Sequence, residues 1–166
     1  MAPKNTVDAK TVDALLSLDN QFCFALHAAS RLVVRAYRPV LRDLDLTYSQ
    51  YLVLLVLWEW ERTREPRPTV HQLGERLDLD SGTLTPLLRR LEQKGLLARE
   101  RSSVDGRELF VRASRAGRAL KKRARDVPIA LICSSPLPAE DMVALRDQLQ
   151  RMRQVMAGQE NTAESA

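Results

Sequence analysis

Apolar residues along this chain recur at spacings of three and four, interrupted once by a short stretch with strand character. Phe22, Leu26, Ala29, Val33 and Ala36 form the first stripe. They predict a helix from a Ser17 cap to about Tyr37, with Asp19 near its positive end. Pro39 ends that helix or kinks it close to its end. Asp45-Leu46-Thr47 reads as turn and cap for a second helix through about Arg62, whose centre, YLVLLVLW, is apolar all round and therefore buried on most sides. Glu65-Pro66-Arg67-Pro68 is a stiff connector. Val70, Leu73 and Leu77 mark a short helix over 69–77, and Leu84, Leu87, Leu88 and Leu91 mark another that starts between Asp80 and Thr83. Pro86 is a local conflict. A start at Ser81 puts the ring after the first turn, where it removes a backbone bond, and a start nearer Thr83 makes it harmless. Gly95 falls where a left-handed C-terminal cap belongs, with Leu96 able to fold back.

Two strand-like runs follow, over 97–101 and 108–112, joined by a polar tip from Ser102 to Arg107 that contains Gly106, as a hairpin needs. A helical segment over 114–131 comes next, loosened at Ala116-Gly117 and kinked or interrupted at Pro128. After a loop around 134–138, Met142, Leu145, Leu149, Met152 and Met156 form a heptad-like seam. A partner helix suits such a seam better than a small core, the alternative being a seam within the chain. The fold class is mainly α with a small β-wing: helix, turn, helix, hairpin, a winged helix-turn-helix. An ordinary α+β fragment with a basic surface is the alternative.

Charge sharpens this picture. From Arg89 to Arg125 thirteen Lys or Arg face four Asp or Glu, a local +9 in a chain whose net charge is +5. The excess falls on the second helix of the motif, the wing and the segment after it, as a phosphate-binding surface requires. With 166 residues, 45% hydrophobic and 28% charged, the chain reads as globular and soluble. The run over 51–58 is too short to span a bilayer, and the N-terminus lacks a signal peptide's charged start and apolar core, so the expected compartment is the cytoplasm, with no membrane partner. Cys23 and Cys133 lie far apart without CxxC spacing and with two histidines in the chain. That argues against a metal site, and no cofactor is implied.

LDSGTLTPLLRRLEQKGLL, followed by the Asp105-Gly106-Arg107 tip, resembles the multiple-antibiotic-resistance regulator (MarR) family of winged-helix repressors. Asp19–Leu26 as DNQFCFAL, Tyr37-Arg38-Pro39 and Leu46–Tyr51 as LTYSQY are similar to its organic hydroperoxide sensor (OhrR) branch, over roughly residues 17–157. The resemblance implies a homodimer whose terminal helices interlock and whose wings straddle a pseudo-palindromic double-stranded DNA operator. Outside it, 1–16 is weakly patterned and reads as flexible and 158–166 is polar and reads as disordered, leaving a single domain over 17–157. Within the domain, 17–46 and 114–157 supply dimerisation helices and 47–113 the winged lobe.

Cys23, between two phenylalanines, reads by pattern as an inert small hydrophobe. Because thiolate rather than thiol attacks a peroxide, a sensor cysteine needs a lowered pKa, which phenolic donors favour and a position two turns into a helix helps slightly. By resemblance Tyr37 and Tyr48 supply those donors across the dimer, and core packing is their alternative role. The flanking rings suit an organic hydroperoxide as inducer. In the two-cysteine type of the branch, a cysteine placed like Cys133 resolves the oxidised thiol of the other subunit; otherwise Cys133 is a buried cysteine near a helix end. For DNA, Ser81, Thr83 and Thr85 offer hydroxyls near a helix start, Arg89 reaches a base edge or phosphate, and Arg90 and Lys94 suit phosphates. Arg107 resembles the family's minor-groove arginine and Asp105 the residue that holds it, with turn chemistry as its alternative. The implied function is a non-enzymatic, peroxide-inactivated repressor that releases its operator on oxidation of Cys23 and disulfide formation with Cys133. Its rivals are a repressor released by a non-covalent small ligand, with Cys23 structural, and a thiol peroxidase.

Overall fold

The structure, a computed structural model, describes residues 13–63, 68–102, 108–134 and 137–163. Its contacts divide the chain into two units, Met1–Val127 and Pro128–Ala166.

In the first unit a 3-10 turn, Leu18–Asn20, precedes helix α1, Phe22–Arg42. Patterning places the start of this helix at Ser17, but Ser17 makes no side-chain cap bond and Gln21 is extended (φ −83°, ψ 108°). Asn20 instead donates to the Ala14 carbonyl at 2.8 Å and Gln21 to that of Leu15, closing a separate turn. Cys23 is therefore the second residue of α1 and not two turns in. Pro39 lies inside the helix, which ends three residues later. There Asp45 adopts φ 53°, its N–H bonding to Arg42 at 2.9 Å while Leu46 N–H bonds to Leu41 at 3.0 Å. This is a left-handed cap with aspartate where glycine is usual.

Helix α2, Tyr48–Thr63, is capped by reciprocal bonds between Thr47 and Gln50, 3.0 and 3.3 Å long. It buries Tyr51, Val53, Leu54, Val56, Leu57 and Trp58, as its all-round apolar centre predicts. Helix α3, Val70–Leu77, has the same capping box from Thr69 and Gln72. Helix α4, Ser81–Gln93, is capped by Asp80. Pro86 is thus its sixth residue and leaves the exposed Gly82 carbonyl without its usual donor. Gly95, at φ 67°, turns the chain so that Leu96 N–H reaches the Leu91 carbonyl at 3.0 Å.

Strands β1, Leu97–Arg101, and β2, Leu109–Ala113, pair antiparallel from Leu97 opposite Ala113 to Arg101 opposite Leu109. The second strand runs one residue later than its pattern suggests. Phe110 also bridges to Thr69, and Val111 N–H bonds to the Pro68 carbonyl at 2.9 Å, so the wing is sewn to the start of α3. Helix α5, Arg115–Arg123, follows a Ser114 cap. Here Gly117 does not loosen the turn but permits a close approach, because a Cβ on it would lie 2.0 Å from the Leu96 carbonyl oxygen. The core joins Leu41, Leu54, Leu57, Leu73, Leu84, Leu88, Leu91 and Val111. Trp58 donates from this core to the Gly117 carbonyl at 3.0 Å.

The helix expected over 114–131 breaks at Ala124-Arg125, and helix α6 spans Asp126–Ser134. Pro128 is its third residue, where no intrahelical N–H is needed. A proline ring excludes the carbonyl four residues earlier, so the interruption precedes the proline. The second unit continues with helix α7, Ala139–Ala163, which extends through most of the tail expected to be disordered. Along its seam Met142, Leu149 and Met152 are half-buried and Leu145 and Met156 exposed.

Candidate DNA-reading helix and thiol site

Helix α4 turns Leu84, Leu88 and Leu91 into the core. That leaves Ser81, Thr85 and Arg89 on one exposed row at intervals of four, with Arg90 exposed beside it. Neither arginine has an ion-pair partner among the described residues. Two other expected contacts are engaged within the chain. Thr83 donates its hydroxyl to Asp80 Oδ2 at 2.8 Å, and its backbone N–H to Oδ1 at 2.8 Å, which hold the Asp80 carboxyl below the usual range. Lys94 sits 2.9 Å from the Asp45 carboxylate. Asp105 and Arg107 lie outside the described residues.

The charge excess divides in the same way. Arg118 pairs with Glu61 at 3.2 Å and donates to the Ala113 carbonyl at 2.9 Å. Lys121 donates to the Trp58 carbonyl at 3.2 Å and Arg123 to the Asp43 carbonyl at 2.7 Å. These cations fasten α5 to α2 and to the end of α1. The phosphate-facing charge is therefore narrower than the local +9 suggests. Arg99 grips Glu92 with two bonds, 2.5 and 3.1 Å, joining β1 to α4 and holding the Glu92 carboxyl below its usual range.

Cys23 and Cys133 are both exposed free thiols, in different units. The ring of Tyr37 lies 4.8 Å from that of Tyr48 and 6.0 Å from that of Tyr51, which in turn contacts Trp58 edge-on at 6.4 Å. Burial, followed by the neighbouring phenols Tyr48 and Tyr51, pushes Tyr37 up to about 12. Burial likewise raises Tyr48 and Tyr51. The structure thus brings the two expected phenols together but not to the thiol of their own chain. Fourteen residues of one helix separate Cys23 from Tyr37, roughly 21 Å along the axis at 1.5 Å per residue. The stripe expected to pack α1 also faces outward, with Phe22 61% and Val33 45% exposed.

Some contributors went unread in the sequence. Both capping boxes were visible as Thr-x-x-Gln, Thr47 to Gln50 and Thr69 to Gln72. Tyr51, three residues after Tyr48, shares its helix face. The partners Asp45 and Glu92 have no local signal, since each meets a cation brought by another element.

A helix-turn-helix followed by a two-stranded wing, with an exposed polar row on its second helix, defines a winged-helix transcriptional regulator. A family model described as transcriptional regulator SarA/Rot matches residues 35–124. The organic hydroperoxide resistance transcriptional regulator of Bacillus subtilis is 44% identical over 134 residues, 81% of this chain and 88% of that protein. The HTH-type transcriptional regulator TtmR of Methylorubrum extorquens is 43% identical over 153 residues, covering 92% and 76%. Among solved structures, reduced AbfR bound to DNA is 36% identical with TM-score 0.68, covering 88% of this chain and 99% of that one. A disulfide-formed structure of AbfR, 35% identical with TM-score 0.57, covers 87% and 98%. This chain belongs to the MarR family of transcriptional regulators, in the organic hydroperoxide regulator branch. These relatives are regulators, not enzymes.

Proposed function

We propose that the protein is a homodimeric, DNA-binding repressor that senses organic hydroperoxides through Cys23. The observation that carries this reading is the Tyr37–Tyr48 pair. The two phenols are held together, and burial raises both further above their ordinary value. Neither hydroxyl has a hydrogen-bond partner among the described residues, and Tyr37 stands roughly 21 Å along α1 from its own thiol. Phenolic O–H groups are donors a thiolate accepts. Pairing two α1 helices in opposite directions through their exposed apolar faces brings each phenol pair to the other chain's Cys23. Helices α6 and α7 expose Ile129, Ile132, Leu145 and Met156 for the same assembly.

In this dimer Ser81, Thr85 and Arg89 of α4 enter the major groove, Arg90 meets phosphate, and Arg107, held by Asp105, extends the wing to the minor groove. Oxidation proceeds in two steps. The Cys23 thiolate attacks a peroxide oxygen, the O–O bond breaks, an alcohol leaves, and the sulfur becomes a sulfenic acid. The partner's Cys133 thiolate then attacks that sulfur, forming the disulfide and expelling hydroxide, which takes a proton from solvent to become water. Bridging requires the two α-carbons to come within about 7 Å. The protein acts in the cytoplasm, where the reduced state is the resting state. Disulfide-formed and DNA-bound reduced structures of the relative AbfR support the reading. The test is DNA binding with and without stoichiometric organic hydroperoxide, followed by a thiol reductant. Release that the reductant reverses is expected, and release that persists in Cys23→Ser would instead assign the protein to ligand-released repressors.

A further inference from the structure

A change at α1 must reach α4 through contacts between them, and one contact stands out. The turn after α1 holds the left-handed residue Asp45, φ 53°, a conformation that glycine adopts freely and that Asp or Asn adopts more readily than other residues. Its carboxylate also lies beside the partial negative charge of a helix C-terminus, an unfavourable placement. Lys94 offsets that charge. As the C-cap residue of α4, it puts Nζ 2.9 Å from Asp45 Oδ2 and donates as well to the Asp45 carbonyl. One ammonium therefore serves the carbonyl and the carboxylate of Asp45 at once. Among the described residues this is the ion pair that joins the α1 corner to α4. The corner itself is firmly seated, with Leu41, Leu44 and Leu46 buried and Arg123 bonded to the Asp43 carbonyl at 2.7 Å. The Asp45 carboxylate is 90% exposed, so the pair is held by geometry and not by a dry environment. Such a contact is easily broken when its two ends move apart.

We propose that Lys94 is a positioning residue and not a phosphate contact: held on Asp45, it fixes where the end of α4 sits relative to the end of α1. Operator affinity then depends on the state of α1. This rests on the proposed peroxide switch only for the signal that moves α1; the positioning itself is a property of the reduced protein.

The test is a double-mutant cycle of Asp45→Asn and Lys94→Met in the full chain. Asparagine tolerates the left-handed conformation and methionine keeps most of the lysine's length. Affinity is measured on reduced protein over a salt series, with a duplex that the wild-type protein selects from random-sequence DNA. Each single variant should lose about fivefold in affinity, a size typical of coupling between sites. The double variant should bind no more weakly than either, with an unchanged salt slope and an unchanged melting temperature. In both single variants the difference between reduced and hydroperoxide-treated protein should narrow. Two results overturn the proposal. In one, Lys94→Met lowers the salt slope by about one while Asp45→Asn binds as well or better, which makes Lys94 a phosphate contact. In the other, the two losses add, or, in a wild-type protein that responds to hydroperoxide, the reduced-to-treated ratio of the variants stays as in wild type. Should the wild-type protein ignore hydroperoxide while the cycle on reduced protein is non-additive, the sensor reading fails and the positioning role stands.

Discussion

Gly117→Ala probes the closest approach to a glycine among the described residues. In most helices this change is favourable by about 1 kcal/mol. At this site the new Cβ would lie 2.0 Å from the Leu96 carbonyl oxygen and 3.1 Å from its carbon, both backbone atoms. Ordinary contact needs about 3.5 Å, so the start of α5 must withdraw by more than an ångström. That movement stretches the 3.0 Å bond from Ser114 N–H to Leu96 and the 3.0 Å bond from the buried Trp58 indole to Gly117. Overpacking costs about 1–3 kcal/mol and stripping a buried donor of its acceptor about the same. Against the gain in helix propensity, the net loss should be about 2–4 kcal/mol. For a chain of this size that lowers the melting temperature by about 5–15 °C. Thermal unfolding followed by circular dichroism at fixed protein concentration reads it, since oligomers melt in a concentration-dependent way. Ala116→Gly, the neighbouring exposed position, should cost no more than about 1 kcal/mol. A Gly117→Ala protein melting at or above wild type would refute the reasoning.

Further outcomes follow from the proposed interface and site. Arg89→Ala should weaken DNA binding and relax its sequence preference, whereas Arg107→Ala should weaken it across sequences; unchanged affinity in both would remove α4 and the wing from the interface. Cys23→Ser should bind DNA and ignore hydroperoxide, while Cys133→Ser should still oxidise at Cys23 but form no crosslinked dimer on a non-reducing gel. Mass spectrometry finding Cys133 oxidised with Cys23 reduced would reverse that order of events. Tyr37 should stay protonated until about pH 12, well above its ordinary value near 10. Its raised value gives stability that is present below pH 10 and lost as pH rises towards 12, a loss that should shrink in Tyr37→Phe. A chain truncated at Pro138 should lose its dimer at low concentration; sedimentation showing an intact dimer would contradict the assembly.

What the sequence disclosed was what repeats or acts locally. The leucine spacing of α4, the Gly95 cap and the wing pairing come from neighbours within a turn or a hairpin, and they emerged nearly where patterning puts them. The start of α1 did not, because Ser17 carries the cap chemistry while the helix begins after Gln21, a choice that rests on bonds from Asn20 and Gln21 back to 14 and 15. Charge misled for a related reason. A lysine on α5 looks the same in sequence whether it faces a phosphate or the carbonyl of Trp58. The break before Pro128 was legible in principle, since the ring acts on the carbonyl four residues back. Which cations Glu92 and Asp45 meet depends on how separate elements dock, and no local spacing encodes that.

The length of α1 between Cys23 and Tyr37 has a genetic consequence. If thiol and phenols come from different chains, a subunit with Cys23→Ser and one with Tyr37→Phe each spoil both sites of their own homodimer. Mixed in one dimer, they leave one site intact: the thiol of the second chain facing the tyrosines of the first. Two alleles that are each blind to hydroperoxide should therefore restore a response when co-expressed. A site contained within one chain would give no such complementation.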